Sequence, residues 1–243
     1  ELHRMGYYTL AWGALFLALR FGPCRRLSSD FSNRAVSLAH AVLAIGLTAW
    51  AIDDWADPFG NIGQATTEKQ VKVLSISLAY FTYDFICCLI IEDNLANVLH
   101  HVATMMGLAV GVLQGTCGTE LTECLFLMEI SNPFMHARFL MKELEQKGRL
   151  KPGSALSLAN ELCFAVAFFV CRLVIGPVLT YYTVVCPTSH PAVKFGALGI
   201  LFVSVFWFWK IAQVAAYKFG LIEGKKKKKK PGNKQEEGGK KDS

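Results

Sequence analysis

Charge is what this sequence has least of. Asp, Glu, Lys and Arg make up 18% of its 243 residues, where a soluble domain carries about 25%. The charges that exist collect in four places, residues 20–34, 53–72, 138–151 and 218–243, and long apolar runs fill the intervals. That distribution excludes an ordinary water-soluble enzyme core. Also missing is any long polar stretch between apolar runs, which excludes a folded domain outside the bilayer. The eight cysteines contain no pair at metal-ligand spacing beside a histidine, so no metal site and no cofactor are expected. No small-residue cleavage site follows the first apolar run, Tyr7–Phe21, which leads straight into Pro23, Arg25 and Arg26. It reads as a membrane span and not as a signal peptide. The net charge of +6 is local, because ten of the 25 basic residues lie between Lys218 and Ser243. A Lys run beside a last apolar segment meets anionic lipid or water, so nucleic acid is not an expected partner.

What is present is hydrophobic residues, 53% of the chain. Apolar runs of about 17–25 residues mark membrane helices. They predict an all-α integral membrane protein of about seven transmembrane helices: Gly6–Phe21, Ala35–Ile52, Val73–Ile91, Asn97–Leu113, Leu121–Met141, Ala159–Val184 and Val193–Phe219. The loops sort by charge. Arg25, Arg26 and Arg34 flank the first loop, and Lys142, Lys147, Arg149 and Lys151 the fifth. With seven spans both fall on the side of the Lys-rich tail, while the acidic loop with Asp53, Asp54 and Asp57 falls opposite. Basic loops stay cytosolic, so the C-terminus is expected in the cytosol. The tail 220–243 has almost no apolar residue and is expected to be disordered. Cys117 and Cys186 fall in loops on the lumenal side, where oxidation is permitted, and a disulfide between them is expected.

Ionisable groups at membrane depth are costly and mark functional sites by default. Here they are Asp84, His100, His101, Glu129, His136, Arg138 and Arg172. His100 and Thr104 share a helix face at i, i+4, so the Thr104 hydroxyl is placed to hold the imidazole. Adjacent histidines diverge by about 100°, so His100 and His101 address different surroundings. Two readings stay open for them, a general base or interfacial imidazoles that only satisfy helix contacts. In the fifth span Glu129, Asn132 and His136 fall on one polar face, and Pro133 frees a backbone carbonyl about one turn upstream. Such breaks accompany a cavity or a helix–helix hydrogen-bond network. Arg172 is expected to pair with Asp84 or Glu129.

These residues carry a resemblance. Tyr80-Phe-Thr-Tyr83-Asp84, His100-His101-x-x-Thr104, Glu129-x-Ser131-Asn132-Pro133-x-x-His136-x-Arg138 and Phe168-Phe169-Val-Cys-Arg172 together resemble the TLC-domain family, which includes the ceramide synthases. The resemblance implies a six-helix barrel over residues 33–219 around a lipid-accommodating cavity, preceded by one N-terminal span and loop (residues 1–32). The His-Asp-x-x-Asp element of ceramide synthases is absent, and the chain looks more like the smaller TLC-domain proteins linked to membrane lipid homeostasis. Three functions follow: a protein that binds, senses or modifies a lipid; an N-acyltransferase using His100 and His101 with acyl-CoA as substrate; and a small-molecule or ion transporter gated by Asp84 and Arg172. Membrane lipids are the expected partners. Lys240 and Lys241 match the dilysine pattern for retrieval to the endoplasmic reticulum, a signal read by coat proteins on a cytosolic C-terminus.

Overall fold

The computed structural model describes residues 2–91 and 95–218, and among these no strand occurs. The chain divides into two units, Glu1–Phe208 and Trp209–Ser243; the described part of the second is the end of one helix. Among the described residues nine α-helices follow in order: α1 (Leu2–Phe21), α2 (Ser29–Ala51), α3 (Glu68–Ile91), α4 (Leu95–Ala109), α5 (Gly118–Glu129), α6 (Asn132–Gln146), α7 (Ala155–Phe168), α8 (Gly176–Val185) and α9 (Pro191–Lys218). Two π-helical segments interrupt them, Val110–Gln114 after α4 and Phe169–Ile175 between α7 and α8.

Local chemistry sets the boundaries. Ser28 caps α2 by accepting from the Phe31 N–H at 2.9 Å, and Ser154 caps α7 through the Ser157 N–H, each satisfying an orphan donor of the first turn. The second π segment ends where α8 begins at Gly176, followed by Pro177, which lacks an N–H and is tolerated in a first helical turn. There the Gly176 N–H reaches back five residues to the Cys171 carbonyl.

Among the described residues, four helical stretches are long and apolar enough to cross a membrane: Ser29–Ala51, Glu68–Ile90, Ala155–Val185 and Pro191–Ala216. The expected fifth span, Leu121–Met141, is not one helix, because the chain breaks at Ile130 and Ser131 between α5 and α6. The packing is helix on helix. α1 lies against α2 and α3; α2 also meets α5 and α6; α3 meets α4 and α5; α6 meets α7, and α5 meets α8. Aromatic rings join α1, α2 and α3: buried His40 stacks on Tyr80 with ring centres 3.7 Å apart, and Trp12 meets both edge-on. Large apolar side chains on α1 and α7, such as Tyr7, Leu10, Leu158 and Leu162, stay exposed, as a surface facing lipid requires.

Loops gather at two ends. At one, residues 52–67, 115–117 and 186–190 interlock. Thr66 N–H donates to the Gly115 carbonyl and Cys117 N–H to the Gln64 carbonyl, both at 2.9 Å. Buried Glu120 accepts from the Gly63 N–H (3.1 and 3.2 Å) and from Ser189 Oγ (2.8 Å). Gly63 has φ +78°, and a Cβ there would lie 2.5 Å from Cys186 Sγ, so glycine is required on both counts. At the other end, the Ser28 N–H and hydroxyl donate to the Glu143 carboxylate and Lys147 Nζ donates to the Arg26 carbonyl. These are called the acidic-loop end and the basic-loop end below.

Candidate functional site

A cavity of about 100 Å³ lies among α4, α5, the second π segment, α8 and residues 193–204 of α9. It exceeds several-fold the space one water needs. Most of its wall is apolar, with Phe81, Leu108, Leu121, Leu125, Leu179, Ile200 and Leu201. The polar groups on it are few: His100, Thr104, Glu120, Glu129, Asn132, Arg172 and three Thr/Ser hydroxyls, with Cys124 beside them. An apolar cavity with a few convergent polar groups is the usual form of a ligand site.

The helix break explains how three of them meet. Where α5 stops, the Met128 carbonyl loses its partner within the helix, and Arg172 Nη2 donates to it at 2.7 Å. Arg172 Nε donates to Ser131 Oγ (3.2 Å), and Nη2 also to Asn132 Oδ1 (3.0 Å). Asn132 Nδ2 in turn donates to Glu129 Oε2 at 3.0 Å. The amide thus stands between guanidinium and carboxylate. The expected direct pairing of Arg172 with Asp84 or Glu129 is therefore corrected: the freed backbone of the broken helix is the stronger claimant for its donors. The π-helical winding around Arg172 is the feature the sequence reading missed. The Gly176-Pro177 step was the signal that could have found it, since π turns recur at functional sites.

Asp84 belongs to a different network. Its Oδ1 accepts from Asn33 Nδ2 (2.8 Å), whose own Oδ1 accepts from the Tyr83 hydroxyl (2.7 Å). Its Oδ2 lies 3.4 Å from His101 Nε2. A carboxylate there favours a proton on the facing Nε2, and the buried Nδ1 has no partner. A gating pair of Asp84 and Arg172, on which the transporter reading stood, does not form. Asn33, at the polar start of α2 and fifty residues before Tyr83, was the unread member of this chain.

The two histidines divide as their angular offset demands. His100 lines the cavity and His101 does not. Their rings lie 5.8 Å apart. Thr104 does not hold an imidazole: its buried hydroxyl has no hydrogen-bond partner and lines the cavity instead. His136 is not part of the lining. It lies one turn beyond Asn132, about 6 Å along the helix, where the cavity has closed, and its Nδ1 is also unpartnered. Arg138 pairs outside the cavity with Glu161, at 3.3 Å.

Cys117 and Cys186 are free thiols in this structure, which corrects the expected disulfide. Each sulfur is engaged elsewhere. Cys117 Sγ accepts from the His190 N–H at 3.2 Å, and Cys186 Sγ lies 3.2 Å from Thr188 Oγ1 and donates to the Ile62 carbonyl. Burial pushes the Cys117 thiol up, while the Thr188 contact pulls Cys186 down. Among the described residues no cluster of three His, Cys, Asp or Glu side chains could hold a metal. Lys240 and Lys241 lie outside the described residues, as does the tail 220–243.

A family model described as the TLC domain matches residues 30–213. No solved structure matches the chain.

Proposed function

The chain belongs to the TLC-domain family, membrane proteins linked to lipid metabolism or sensing, and on that premise we propose that its cavity holds one membrane lipid, through which the protein acts in membrane lipid homeostasis. The observation that carries the proposal is the cavity's division into apolar walls and one polar patch. Leu121, Leu125, Leu179 and Ile200 suit an acyl chain; His100, Thr104, Asn132 and Arg172 suit a head group. The Thr104 hydroxyl, buried without a partner, needs a bond that a lipid carbonyl or hydroxyl would supply. We further place the protein in the endoplasmic reticulum with seven spans and a cytosolic tail. Supporting this are the Lys240-Lys241 pair in a Lys-rich segment, the basic loops, and the meeting of loops 52–67, 115–117 and 186–190 at one end.

The test is native mass spectrometry of the protein purified in mild detergent. A defined lipid adduct is expected in the wild type, with reduced occupancy in Ala103→Phe, whose ring fills the cavity. A wild-type protein that carries no lipid, or a variant with unchanged occupancy, would overturn the proposal.

A second reading, acyl transfer, is favoured by one observation: His100 stands on the cavity wall. In it the amine nitrogen of a long-chain base attacks the thioester carbonyl of acyl-CoA while His100 takes its proton. The C–S bond then breaks and the leaving thiolate receives that proton. His101, oriented by Asp84, would position its neighbour. Labelled acyl-CoA supplied with sphingoid bases, lysolipids and sterols should then yield product, lost in the His100→Ala/His101→Ala double variant. No turnover on any of these acceptors removes this reading for them.

A further inference from the structure

The acidic-loop end carries a second pocket, which shares no lining residue with the cavity. α5 separates the two. Leu121, Cys124 and Leu125 face the cavity, whereas Thr119, Thr122 and Glu123 line the pocket together with Asp53, Asp57 and Asn61 from the loop. With Asp54, its ten lining residues include four carboxylates and no Lys, Arg or His. The lysine that comes near, Lys69, reaches Asp53 at 3.5 Å.

An acidic loop alone is a solvated surface. Two buried groups make this one different. Glu123 is 4% exposed, and neither of its carboxylate oxygens has a hydrogen-bond partner. Glu120, one turn earlier and just as buried, has two donors on its carboxylate, the Gly63 N–H shared between both oxygens and the Ser189 hydroxyl, so the fold can satisfy a buried glutamate and does not satisfy this one. Thr122 is fully buried with its hydroxyl unpartnered. Thr48, Thr82 and Thr183 in other helices donate to the carbonyl four residues back, a bond Thr122 forgoes. An unpaired carboxylate and hydroxyl beside one small space are costly unless something enters that space.

The size and donors narrow the occupant. The pocket measures about 10 Å³, close to the volume one water or one ion needs and far below a lipid head group. Its donors are oxygens, which suit hard cations and not zinc or copper. No three carboxylates converge as a ready chelate, so neutral oxygens and water must complete the shell. Calcium accepts that mixed, flexible coordination, whereas magnesium demands near-ideal octahedral geometry.

We propose that this pocket binds one calcium ion through Glu123 and Asp57, with Asn61, Thr119 and Thr122 supplying neutral oxygens. Few charged ligands place its affinity at the weak end, about 0.1–1 mM. Because Glu123 and the cavity residues Cys124 and Leu125 share α5, the ion also braces one wall of the cavity.

The experiment uses the full chain in detergent, stripped with chelator, and follows its melting temperature against calcium, magnesium or sodium. The wild type should be stabilised by calcium with half-effect at about 0.1–1 mM and much less by magnesium or sodium. Glu123→Gln keeps the side-chain volume and removes the buried charge. It should melt higher than wild type in chelator and lose the calcium response, with affinity lowered about 10–100-fold or more. Asp57→Asn, on an exposed loop, should weaken the response while the protein still folds in chelator, and it decides the matter if the Glu123 variant does not fold. No calcium shift in the wild type, an equal shift with magnesium, or an undiminished shift in the foldable variants would overturn the proposal. Lipid occupancy is read separately by mass spectrometry, so this result and the lipid result can fail independently.

Discussion

Arg172 is where the chemistry of the main cavity and the stability of its wall coincide. Its guanidinium serves the Met128 carbonyl, the Ser131 hydroxyl and the Asn132 amide at once, and only a planar fork can address three acceptors in those directions. A lysine keeps the charge and reaches one acceptor well. Arg172→Lys should therefore destabilise the protein by about 1–3 kcal/mol, measured by denaturation of the purified protein. Asn132→Ala combined with it should cost less than the sum of the two single changes, because both act on one network. A loss within about 0.5 kcal/mol of zero for Arg172→Lys would show that the fork is not needed. The His101–Asp84–Asn33–Tyr83 chain illustrates the same scale. Asp84 and His101 were both legible in the sequence as costly groups, but their mutual contact and the amide behind it were not.

Among the elements, the interruptions matter more than the regular helices. Pro133 announced the α5–α6 break, since a missing N–H is a property of the residue itself. The closure of α2 on α6 through Ser28 and Glu143 was not announced by any pattern. Burial pushes the Glu143 carboxyl up, but the bonds from the Ser28 hydroxyl and N–H, with Lys147 beside them, outweigh it and hold the group below the usual carboxylate range. Its folded-state value then lies below its unfolded value. The stabilisation it gives is present above about pH 4.3, the unfolded reference, and is lost as pH falls through the folded value. Melting temperatures taken from about pH 6 down to about pH 3 should fall less steeply in Glu143→Gln than in the wild type. Equal slopes would mean that this clasp carries no pH-dependent stability.

For the whole molecule, the exposed faces decide the setting. Only 22% of the apolar stretch in Ala155–Val185 and 6% of that in Pro191–Ala216 is buried within the protein, so these helices need lipid as their second neighbour. The gathering of the acidic loop and two uncharged ones at one end, and of Ser28, Glu143 and Lys147 at the other, gives the orientation a direct test. A glycosylation acceptor inserted in residues 52–67 should be glycosylated in microsomes, and one in residues 147–154 should not. The reverse pattern would invert the orientation, and modification of both would break the span count.

Composition and spacing by themselves determined that this chain is a helical membrane protein, that Pro133 disturbs the helix it sits in, and which polar residues carry a cost in an apolar setting. Those features follow from the residues alone: apolar length, a missing donor, the cost of a charge in lipid. Tertiary structure alone decided that His100 faces the cavity while His101 turns to Asp84, that Arg172 serves a freed carbonyl in place of a carboxylate, that Cys117 and Cys186 stay unbridged, and that Glu123 lies buried without a partner. Helical periodicity assigns a residue to a face, but the direction of that face is fixed only when neighbouring helices pack against it.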